Sequence, residues 1–356
     1  MALFHPTLFC FLSVFAGASS DKLVRLGISR MYVESPPGWR KLVAKLEVDN
    51  EKVYALVDTG SPLLFFLWRH SYGPSCQNLL YGCYECSPKP CQAGPTKTFS
   101  FHDDTDVTVF RHHGTLSLGS SSVRDIDFGL VTRSTGVPWA SLGLGVQTGK
   151  YHPYTSLINQ MLAKPKSQRL IESTSFSLYL TPDGTSGELL LGGQDPSKYD
   201  GPLEYIRVVD REEDEIRVRG LMIGSRQMRV TVVSYLDTGT DALTFPTSLK
   251  QPVLYLLQTA GQTLVPIFEH SGTFRIACNN MAYLPTMTIF LEGLHGEDIA
   301  LRLPPTSFVD FDGHTCFLLI HFEDKTEEWT LGNPTVIGHY HFYEWDKSRI
   351  GLAAVR

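Results

Sequence analysis

The sequence has no excess of basic residues, and this absence argues against two classes of partner. Lysine and arginine number 31 against 37 aspartates and glutamates, which gives a formal net charge of −6. A chain with this balance lacks the attraction that draws proteins to nucleic acid or to an anionic membrane surface. Charged residues make up 19% of the chain and apolar residues 42%, a composition typical of a globular protein.

Long hydrophobic runs are also scarce. One apolar run occupies residues 8–15, and no later run reaches the length of a membrane span. Ala16-Gly17-Ala18 follows with the small-x-small pattern of a signal peptidase site, although no Lys or Arg precedes the run. We predict that residues 1–18 are a signal peptide that directs the chain into the secretory pathway. The alternative is a buried helix of a soluble protein.

One short stretch of the sequence occurs twice. Residues 54–66 read Tyr-Ala-Leu-Val-Asp-Thr-Gly-Ser-Pro-Leu-Leu-Phe-Phe, and residues 231–246 read Thr-Val-Val-Ser-Tyr-Leu-Asp-Thr-Gly-Thr-Asp-Ala-Leu-Thr-Phe-Pro. Each copy predicts a buried strand that ends at an aspartate, Asp58 or Asp237, and a tight turn in which glycine lets two backbones approach. Ser141-Leu142-Gly143 and Thr330-Leu331-Gly332 repeat at a similar offset. The doubling predicts two lobes of one architecture.

Two facing turns of this kind would bring two carboxylates together. Like charges a few ångströms apart cannot both ionise, so the pair would share one proton over a range of acidic pH. The ionised member can take a proton from water as the water attacks an amide carbonyl, while the protonated member binds the carbonyl oxygen. This chemistry requires no metal, no cofactor and no nucleophilic side chain.

These motifs resemble those of the pepsin-like aspartic proteases. The resemblance extends to residues 176–180 (Phe-Ser-Leu-Tyr-Leu), 187–193 (Gly-Glu-Leu-Leu-Leu-Gly-Gly), 338–346 and 350–353. It implies an all-β, bilobal fold with a few short helices, in which an N-terminal lobe spans residues 19–202 and a C-terminal lobe residues 203–356. Gly201-Pro202 is the expected hinge between the lobes.

The same resemblance assigns roles to the residues of both turns. Asp58 and Asp237 become the catalytic pair, and the hydroxyls of Ser61 and Thr240 are expected to bond the outer carboxylate oxygens. The expected supporting residues are Thr59, Gly60, Ser61, Thr238, Gly239 and Thr240. Retention of all eight motif residues favours an active enzyme.

The hairpin that covers the cleft in this family, the flap, departs from the usual pattern here. Phe101 occupies the place of the usual tyrosine, and Phe65 that of its tryptophan partner. Losing the hydroxyl and its donor together leaves no buried group unpaired, so we expect an aromatic contact instead. The residues expected to bind substrate or to form the flap are Phe65, Phe101, Asp103 and Asp241.

The predicted function is that of a secreted aspartic endopeptidase acting at acidic pH, with apolar side chains flanking the scissile bond. Its expected partners are an extended peptide or protein substrate and pepstatin-like inhibitors, and the chain is expected to be a monomer in an extracellular or acidic lumenal compartment. The alternative is a weak or inactive relative that uses the same cleft to bind a peptide, glycan or foreign enzyme.

Six cysteines remain once Cys10 is removed with the signal peptide, an even number that suits disulfides. The resemblance implies a pair between Cys278 and Cys316. The remaining four, Cys76, Cys83, Cys86 and Cys91, allow three pairings, and a zinc site is their alternative role. We expect no bound metal.

Periodicity predicts a few further elements. Strands are expected at residues 23–33 and 41–48 with a turn at residues 35–38 between them, and helices at residues 154–163 and 247–260. The charge run at residues 211–217 is expected to be a solvated hairpin tip. Asn333, which precedes a proline, is expected in a surface turn. His339 and His341 alternate with aromatics on a predicted strand, which favours structural positions over metal binding.

Overall fold

The computed structural model describes residues 22–32, 39–86, 89, 91–210, 212–324 and 327–356. The predicted signal peptide, residues 1–18, lies outside them, as does the turn predicted at residues 35–38. In the described chain, strands predominate and the α-helices are short. The prediction of an all-β fold with a few short helices is confirmed.

The strands are numbered in chain order. Those of the first half are β1 Val24–Tyr32, β2 Arg40–Val48, β3 Glu51–Asp58, β4 Leu64–Leu67, β5 Thr96–Ser100, β6 Asp106–Leu118, β7 Ser121–Ser134, β8 Ser141–Gly143, β9 Phe176–Leu180 and β10 Ser186–Leu191. Those of the second half are β11 Tyr199–Asp210, β12 Glu215–Ile223, β13 Arg226–Leu236, β14 Leu243–Pro246, β15 Phe268–His270, β16 Thr273–Ile276, β17 Met287–Glu292, β18 Asp298–Leu303, β19 Val309–Phe311, β20 Cys316–Leu318, β21 Ile320–Glu323, β22 Trp329–Leu331, β23 His339–Glu344 and β24 Arg349–Val355.

Strand pairing repeats between the two halves. Around the first Asp-Thr-Gly turn, β3 runs parallel to β8, β4 runs antiparallel to β8, and β4 runs parallel to β7. Around the second turn, β13 runs parallel to β22, β14 antiparallel to β22, and β14 parallel to β21. The two-lobed repeat that the doubled motifs predicted is therefore present in the sheet pairing.

A sheet shared by both halves of the chain joins the lobes. In it β1 pairs with β10, β10 with β9, β9 with β23, β23 with β24 and β24 with β11, all antiparallel. The predicted lobe boundary after residue 202 falls inside β11. There Gly201 adopts a positive φ of 73°, and the pairing register shifts between Asp200 and Glu204. The exact boundary stays a prediction.

The helices are α1 Arg69–Tyr72, α2 Leu157–Ala163, α3 Lys250–Thr259 and α4 Pro305–Phe308. Both predicted helices exist but are shorter than expected. The first begins only after Ser156, whose hydroxyl accepts a hydrogen bond from the backbone N–H of Asn159 at 3.3 Å and caps the helix. The second follows one turn of 3₁₀ helix, Thr247–Leu249.

The strands that carry the two turns are anchored in apolar cores. All four residues of β4 and all four of β14 are buried. Phe66 packs edge-on against Phe128, and Phe245 packs edge-on against Trp329, with ring centroids 5.2 Å and 4.8 Å apart. These buried ring contacts hold each turn in one position. A site made of two paired carboxylates requires such fixed positions.

Candidate active site

The two Asp-Thr-Gly turns are locked to each other by their threonines. The Thr59 hydroxyl accepts a hydrogen bond from the Thr238 backbone N–H at 3.0 Å and donates to the Leu236 carbonyl at 2.8 Å. Reciprocally, the Thr238 hydroxyl accepts from the Thr59 N–H at 3.2 Å and donates to the Val57 carbonyl at 2.7 Å. All of these groups are buried. The reciprocal bonds hold the two strand ends face to face.

Each turn packs against a Leu-Gly pair at the end of a short strand, β8 or β22, and against the residue that follows the pair. The Leu144 N–H donates to the Asp58 carbonyl at 2.7 Å, and the Asn333 N–H donates to the Thr240 carbonyl at 2.9 Å. A Cβ atom at Gly143 or at Gly332 would overlap the backbone of the turn. The repeated Leu-Gly pairs are therefore required by this close approach.

The carboxyl groups of Asp58 and Asp237 are in hydrogen-bond contact. The Gly60 N–H donates to Asp58 Oδ1 at 3.0 Å, and the Gly239 N–H donates to Asp237 Oδ1 at 2.8 Å. Each glycine also lies against the opposite carboxyl, since a Cβ at Gly60 would stand 2.7 Å from Asp237 Oδ1 and one at Gly239 2.8 Å from Asp58 Oδ1. Any larger residue at these two positions would push the pair apart.

The hydroxyls beside the two carboxyls are arranged differently. Thr240 donates to Asp237 Oδ2 at 2.8 Å, as the sequence predicted. The Ser61 hydroxyl was expected to bond Asp58 in the same way. It instead accepts the Leu63 N–H at 3.2 Å, so this expectation is wrong in the structure. A hydroxyl beside a turn can bond the local backbone instead of the carboxylate, and sequence alone does not distinguish the two.

Burial raises the pKa of Asp58 well above its usual range, and the neighbouring Asp237 charge raises it further. Backbone N–H groups of Gly60 and Ser61 oppose this effect only in part. Asp237 has two close donors, Gly239 and Thr240. The pair therefore retains a shared proton under acidic conditions, as two adjacent carboxyls must.

The carboxyl pair lies in a cavity of about 560 Å³. Both lobes line this cavity, and every predicted substrate-contacting residue except Phe65 borders it. Its lining comprises Trp39, Lys41, Leu56, Asp58, Gly60, Ser61, Tyr81, Phe101, His102, Asp103, Thr105, Val137, Trp139, Asp237, Gly239, Thr240, Asp241, Ala242, Thr244, His321, Glu323 and Thr330. A volume of this size accommodates several side chains of a bound peptide.

Strands β5 and β6 form a hairpin whose turn, residues 101–105, borders the cavity; we call this hairpin the flap. The Phe101 N–H donates to the Thr105 carbonyl at 2.9 Å, and Asp103 Oδ1 accepts the Thr105 N–H at 3.0 Å, which closes the turn. The His102 imidazole lies 3.8 Å from the Glu323 carboxylate on β21. The tip of the flap thus reaches the second lobe.

The predicted aromatic contact between Phe65 and Phe101 is present, with ring centroids 6.3 Å apart. Trp139 completes the group, with centroid distances of 5.7 Å to Phe65 and 5.1 Å to Phe101. Sequence reasoning did not identify Trp139. A usable signal existed, because Trp139 stands two positions before the Ser141-Leu142-Gly143 motif that lies against the first turn.

Asp241, predicted to contact substrate, is buried beside the second turn and forms an ion pair across the lobes with Lys41. Burial raises the pKa of Asp241, and the Lys41 ammonium opposes that rise. Asn333 donates from its side-chain amide to Asp241 Oδ1 at 3.5 Å and is fully buried. The expectation that Asn333 lies in a surface turn is wrong, because the turn that contains it packs beneath Asp241.

The six cysteines of the described chain form three disulfides. They are Cys76–Cys83, Cys86–Cys91 and Cys278–Cys316, the last being the pair that the resemblance implied. Within the described residues, the one cluster with metal-ligand geometry is Glu85, Cys86 and Cys91. Its two sulfurs are joined to each other, and a disulfide sulfur is not the thiolate that zinc binds.

His341 is buried on β23, where its Nε2 lies 2.9 Å from the Thr335 carbonyl. Burial lowers the pKa of His341 to about 3. The neutral ring therefore has a packing role, as its strand pattern predicted.

No helix in the described part of the chain has both the length and the apolar character of a membrane span.

The sequence matches known proteins over nearly its whole length. A family model described as eukaryotic aspartyl protease matches residues 45–355. An acid protease of Saccharomycopsis fibuligera is 25% identical, covering 95% of this chain and 85% of that protein. Cathepsin D of Gallus gallus is 26% identical, with coverages of 85% and 77%. Secreted aspartic protease 6 of Candida albicans is 27% identical, with coverages of 86% and 74%.

Proposed function

Because this chain belongs to the eukaryotic aspartyl protease family, we propose that it is a secreted endopeptidase in which Asp58 and Asp237 activate a water molecule against a peptide bond. The observation that carries the proposal is the contact between the buried carboxyl of Asp58 and the half-buried carboxyl of Asp237, in a cavity that both lobes line. Two carboxyls held in contact destabilise a fold, so a structure that places them there with so many supporting bonds favours a catalytic role over a structural one.

The contacts assign a role to each carboxyl. Asp237 accepts two hydrogen bonds that stabilise its anion, whereas burial and the neighbouring charge favour the protonated form of Asp58. The ionised Asp237 takes a proton from the attacking water. The protonated Asp58 donates to the carbonyl oxygen of the scissile bond and stabilises the tetrahedral intermediate. The glycine N–H groups hold both carboxyls in place during this exchange.

The cleft supports an extended peptide as substrate. Phe101, Trp139, Leu56 and Val137 contribute apolar surface to the cavity that holds the carboxyl pair. We expect apolar side chains to flank the scissile bond and peptide backbone to bond the flap edge. Hydrolysis should require acidic pH, since the pair functions only while it shares a proton.

The secretory pathway is the proposed location. Three disulfides form and persist in an oxidising compartment. The apolar run and small-residue site of residues 1–18 support a signal peptide, and a similar protein is named a secreted aspartic protease. The proposed lobe division after residue 202 and the monomeric state are consistent with this reading but rest on the sequence.

A cleavage assay tests the proposal against the alternative of an inactive binding protein. The purified protein is incubated with a denatured protein substrate across acidic pH, with and without a pepstatin-type inhibitor. Cleavage that the inhibitor abolishes supports the endopeptidase. Inhibitor or peptide binding without any cleavage would establish the binding protein instead.

A further inference from the structure

A partly buried carboxyl lies between the lobes, outside the cavity lining. Asp214 stands in the turn between β11 and β12 with a positive φ of 59°. Its Oδ2 accepts the backbone N–H of Val146 at 3.0 Å, and its Oδ1 is buried without a hydrogen-bond partner. The charge run that contains Asp214 was expected to be a solvated hairpin tip. Glu212 and Glu213 are exposed, whereas Asp214 is partly buried.

The segment that Asp214 contacts is bonded to the first catalytic turn. Besides the Leu144 bond to the Asp58 carbonyl, the Gly145 N–H donates to the Ser61 carbonyl at 3.0 Å. From the second lobe, the Trp345 indole N–H donates to the Leu144 carbonyl at 2.9 Å. Residues 144–146 therefore support the Asp58 turn on one side and the β11–β12 turn on the other.

We propose that Asp214 is a positioning residue for the reaction proposed above. In its neutral form it connects the β11–β12 turn to residues 144–146 and so holds the Asp58 turn in place; we call this connection the tie. Ionisation of Asp214 releases the tie. The reason is the unpartnered Oδ1. A buried carboxylate oxygen with no donor is costly when charged, and movement of the turn into water removes the cost.

The charged groups around Asp214 act in both directions. Lys150 favours the ionised form, whereas Glu213 on the same turn and Asp237 in the catalytic pair oppose it. Tyr151 and Tyr343 also lie close enough for the Asp214 charge to raise their pKa values. Burial is the largest influence and raises the pKa of Asp214 to about 7, and it outweighs the Val146 hydrogen bond, which by itself favours the ionised form. The tie should therefore be strongest near pH 4 and weaken as the pH rises toward 7.

Four proteins test the tie: the wild type, Asp214→Asn, Asp214→Ala and the control Glu213→Gln. Asparagine keeps an oxygen to accept the Val146 N–H but cannot ionise, whereas alanine removes the acceptor. Glu213→Gln removes the exposed pair with Lys150 at the same turn. Hydrogen exchange of residues 144–146, corrected for the intrinsic rate, is measured from about pH 4 to about pH 8, together with the pH profile of kcat/KM.

In the wild type we expect exchange at residues 144–146 to accelerate by at least about tenfold between pH 4 and pH 7, the window between the ordinary pKa of an aspartate and the raised pKa of Asp214, and to change little from pH 7 to pH 8. Asp214→Asn should keep its protection and lose kcat/KM less steeply than the wild type as the pH rises, and Asp214→Ala should lose protection at every pH. Glu213→Gln should follow the wild type.

Equal loss of protection in Asp214→Asn and the wild type would overturn the proposal, as would loss of the transition in Glu213→Gln. If Asp214→Ala does not fold, the comparison between the wild type and Asp214→Asn still tests the proposal. Absence of hydrolysis at any pH in a wild type that shows the exchange transition would count against the proposed function, and would leave the tie itself supported.

Discussion

Each carboxyl of the central pair has a distinct environment, and this makes the pair sensitive to single substitutions. Asp58→Asn or Asp237→Asn removes one half of the shared-proton pair with little change in volume. We expect either change to lower kcat by at least about a thousandfold, as is usual for groups that act as a unit. The rate is measured at acidic pH with a peptide substrate.

The matched control is Asp103→Asn, which alters a carboxyl of the same cavity outside the pair. It should act mainly on KM and by less than about tenfold. Full activity in either pair variant would disprove the proposed mechanism. Circular dichroism and the thermal midpoint verify that the variants fold.

Lys41 is expected to matter for stability because it neutralises a buried charge. Lys41→Met removes the ammonium that forms the ion pair with Asp241 and leaves only the electrostatic influence of Arg30. With Lys41 partly exposed, the free energy of unfolding should fall by about 2 kcal/mol at neutral pH. The loss should shrink in acid, because the pKa of Asp241 is raised and its carboxyl is then neutral.

Denaturant titrations at about pH 4 and pH 7 measure this difference. Lys52→Met is the control, since Lys52 is exposed on the neighbouring strand β3. A loss for Lys41→Met that is independent of pH would mean that the aliphatic packing of the lysine matters and its charge does not.

At the scale of elements, the flap depends on ring packing in place of a side-chain hydrogen bond. Phe101→Leu and Trp139→Leu should each lower kcat/KM. Because the two rings touch, the combined effect should differ from the sum of the single effects by about 1 kcal/mol. A double-mutant cycle on kcat/KM measures this coupling.

Phe99→Leu provides a control from the same hairpin. Phe99 packs against Tyr154, with centroids 5.5 Å apart, and not against Trp139. Phe99→Leu and Trp139→Leu should therefore be additive. Additivity between Phe101 and Trp139 as well would show that this contact does not hold the flap.

The disulfides should differ in their contribution according to the loop that each closes. Cys278 and Cys316 are separated by 38 residues, and Cys86 and Cys91 by 5. The loss of chain entropy in the unfolded state predicts that the Cys278–Cys316 disulfide stabilises the fold by about 4 kcal/mol and the Cys86–Cys91 disulfide by about 2 kcal/mol. Paired serine substitutions followed by denaturant unfolding test the order, and a larger loss for the short loop would contradict it.

For the whole molecule, the buried carboxyls predict maximal stability in mild acid. Burial raises the pKa values of Asp58, Asp214 and Asp241. A raised carboxyl pKa means that the folded state holds its proton more tightly, so stability declines as the pH rises; for Asp214 the decline runs from about 4 to about 7. Asp195 affects stability in the opposite direction, because hydrogen bonds from Ser197 and Arg25 lower its pKa to about 2.

The Asp195 contribution is lost as the pH falls below about 4 toward 2. The thermal midpoint should therefore peak near pH 4 to 5 and fall toward pH 8. Asp298→Asn is the control, because this carboxylate lies at the surface beside Arg219. The thermal midpoint of this variant should change with pH in the same way as that of the wild type. A midpoint that rises steadily from pH 4 to pH 8 would contradict the predicted sign.

Local patterns were sufficient to predict the two turns, because a strand ends at Asp-Thr-Gly and glycine is required where backbones touch. The flap and the Cys278–Cys316 pair were predictable only as what the resemblance to the pepsin-like proteases implies. The Ser61 hydroxyl and Asn333 were placed wrongly because a side chain's partner depends on what packs above it. No local signal reports that packing.

By itself, the sequence determined the doubled aspartates and the resemblance to the family, because both follow from residue types at fixed spacing, and the all-β class followed from that resemblance. Only the tertiary structure decided that Trp139 joins the flap rings, that Lys41 neutralises Asp241 and that Asp214 is partly buried between the lobes. These contacts join residues far apart in the chain. They form only when two lobes close on each other, and the burial that then changes each charge is a property of the assembled molecule.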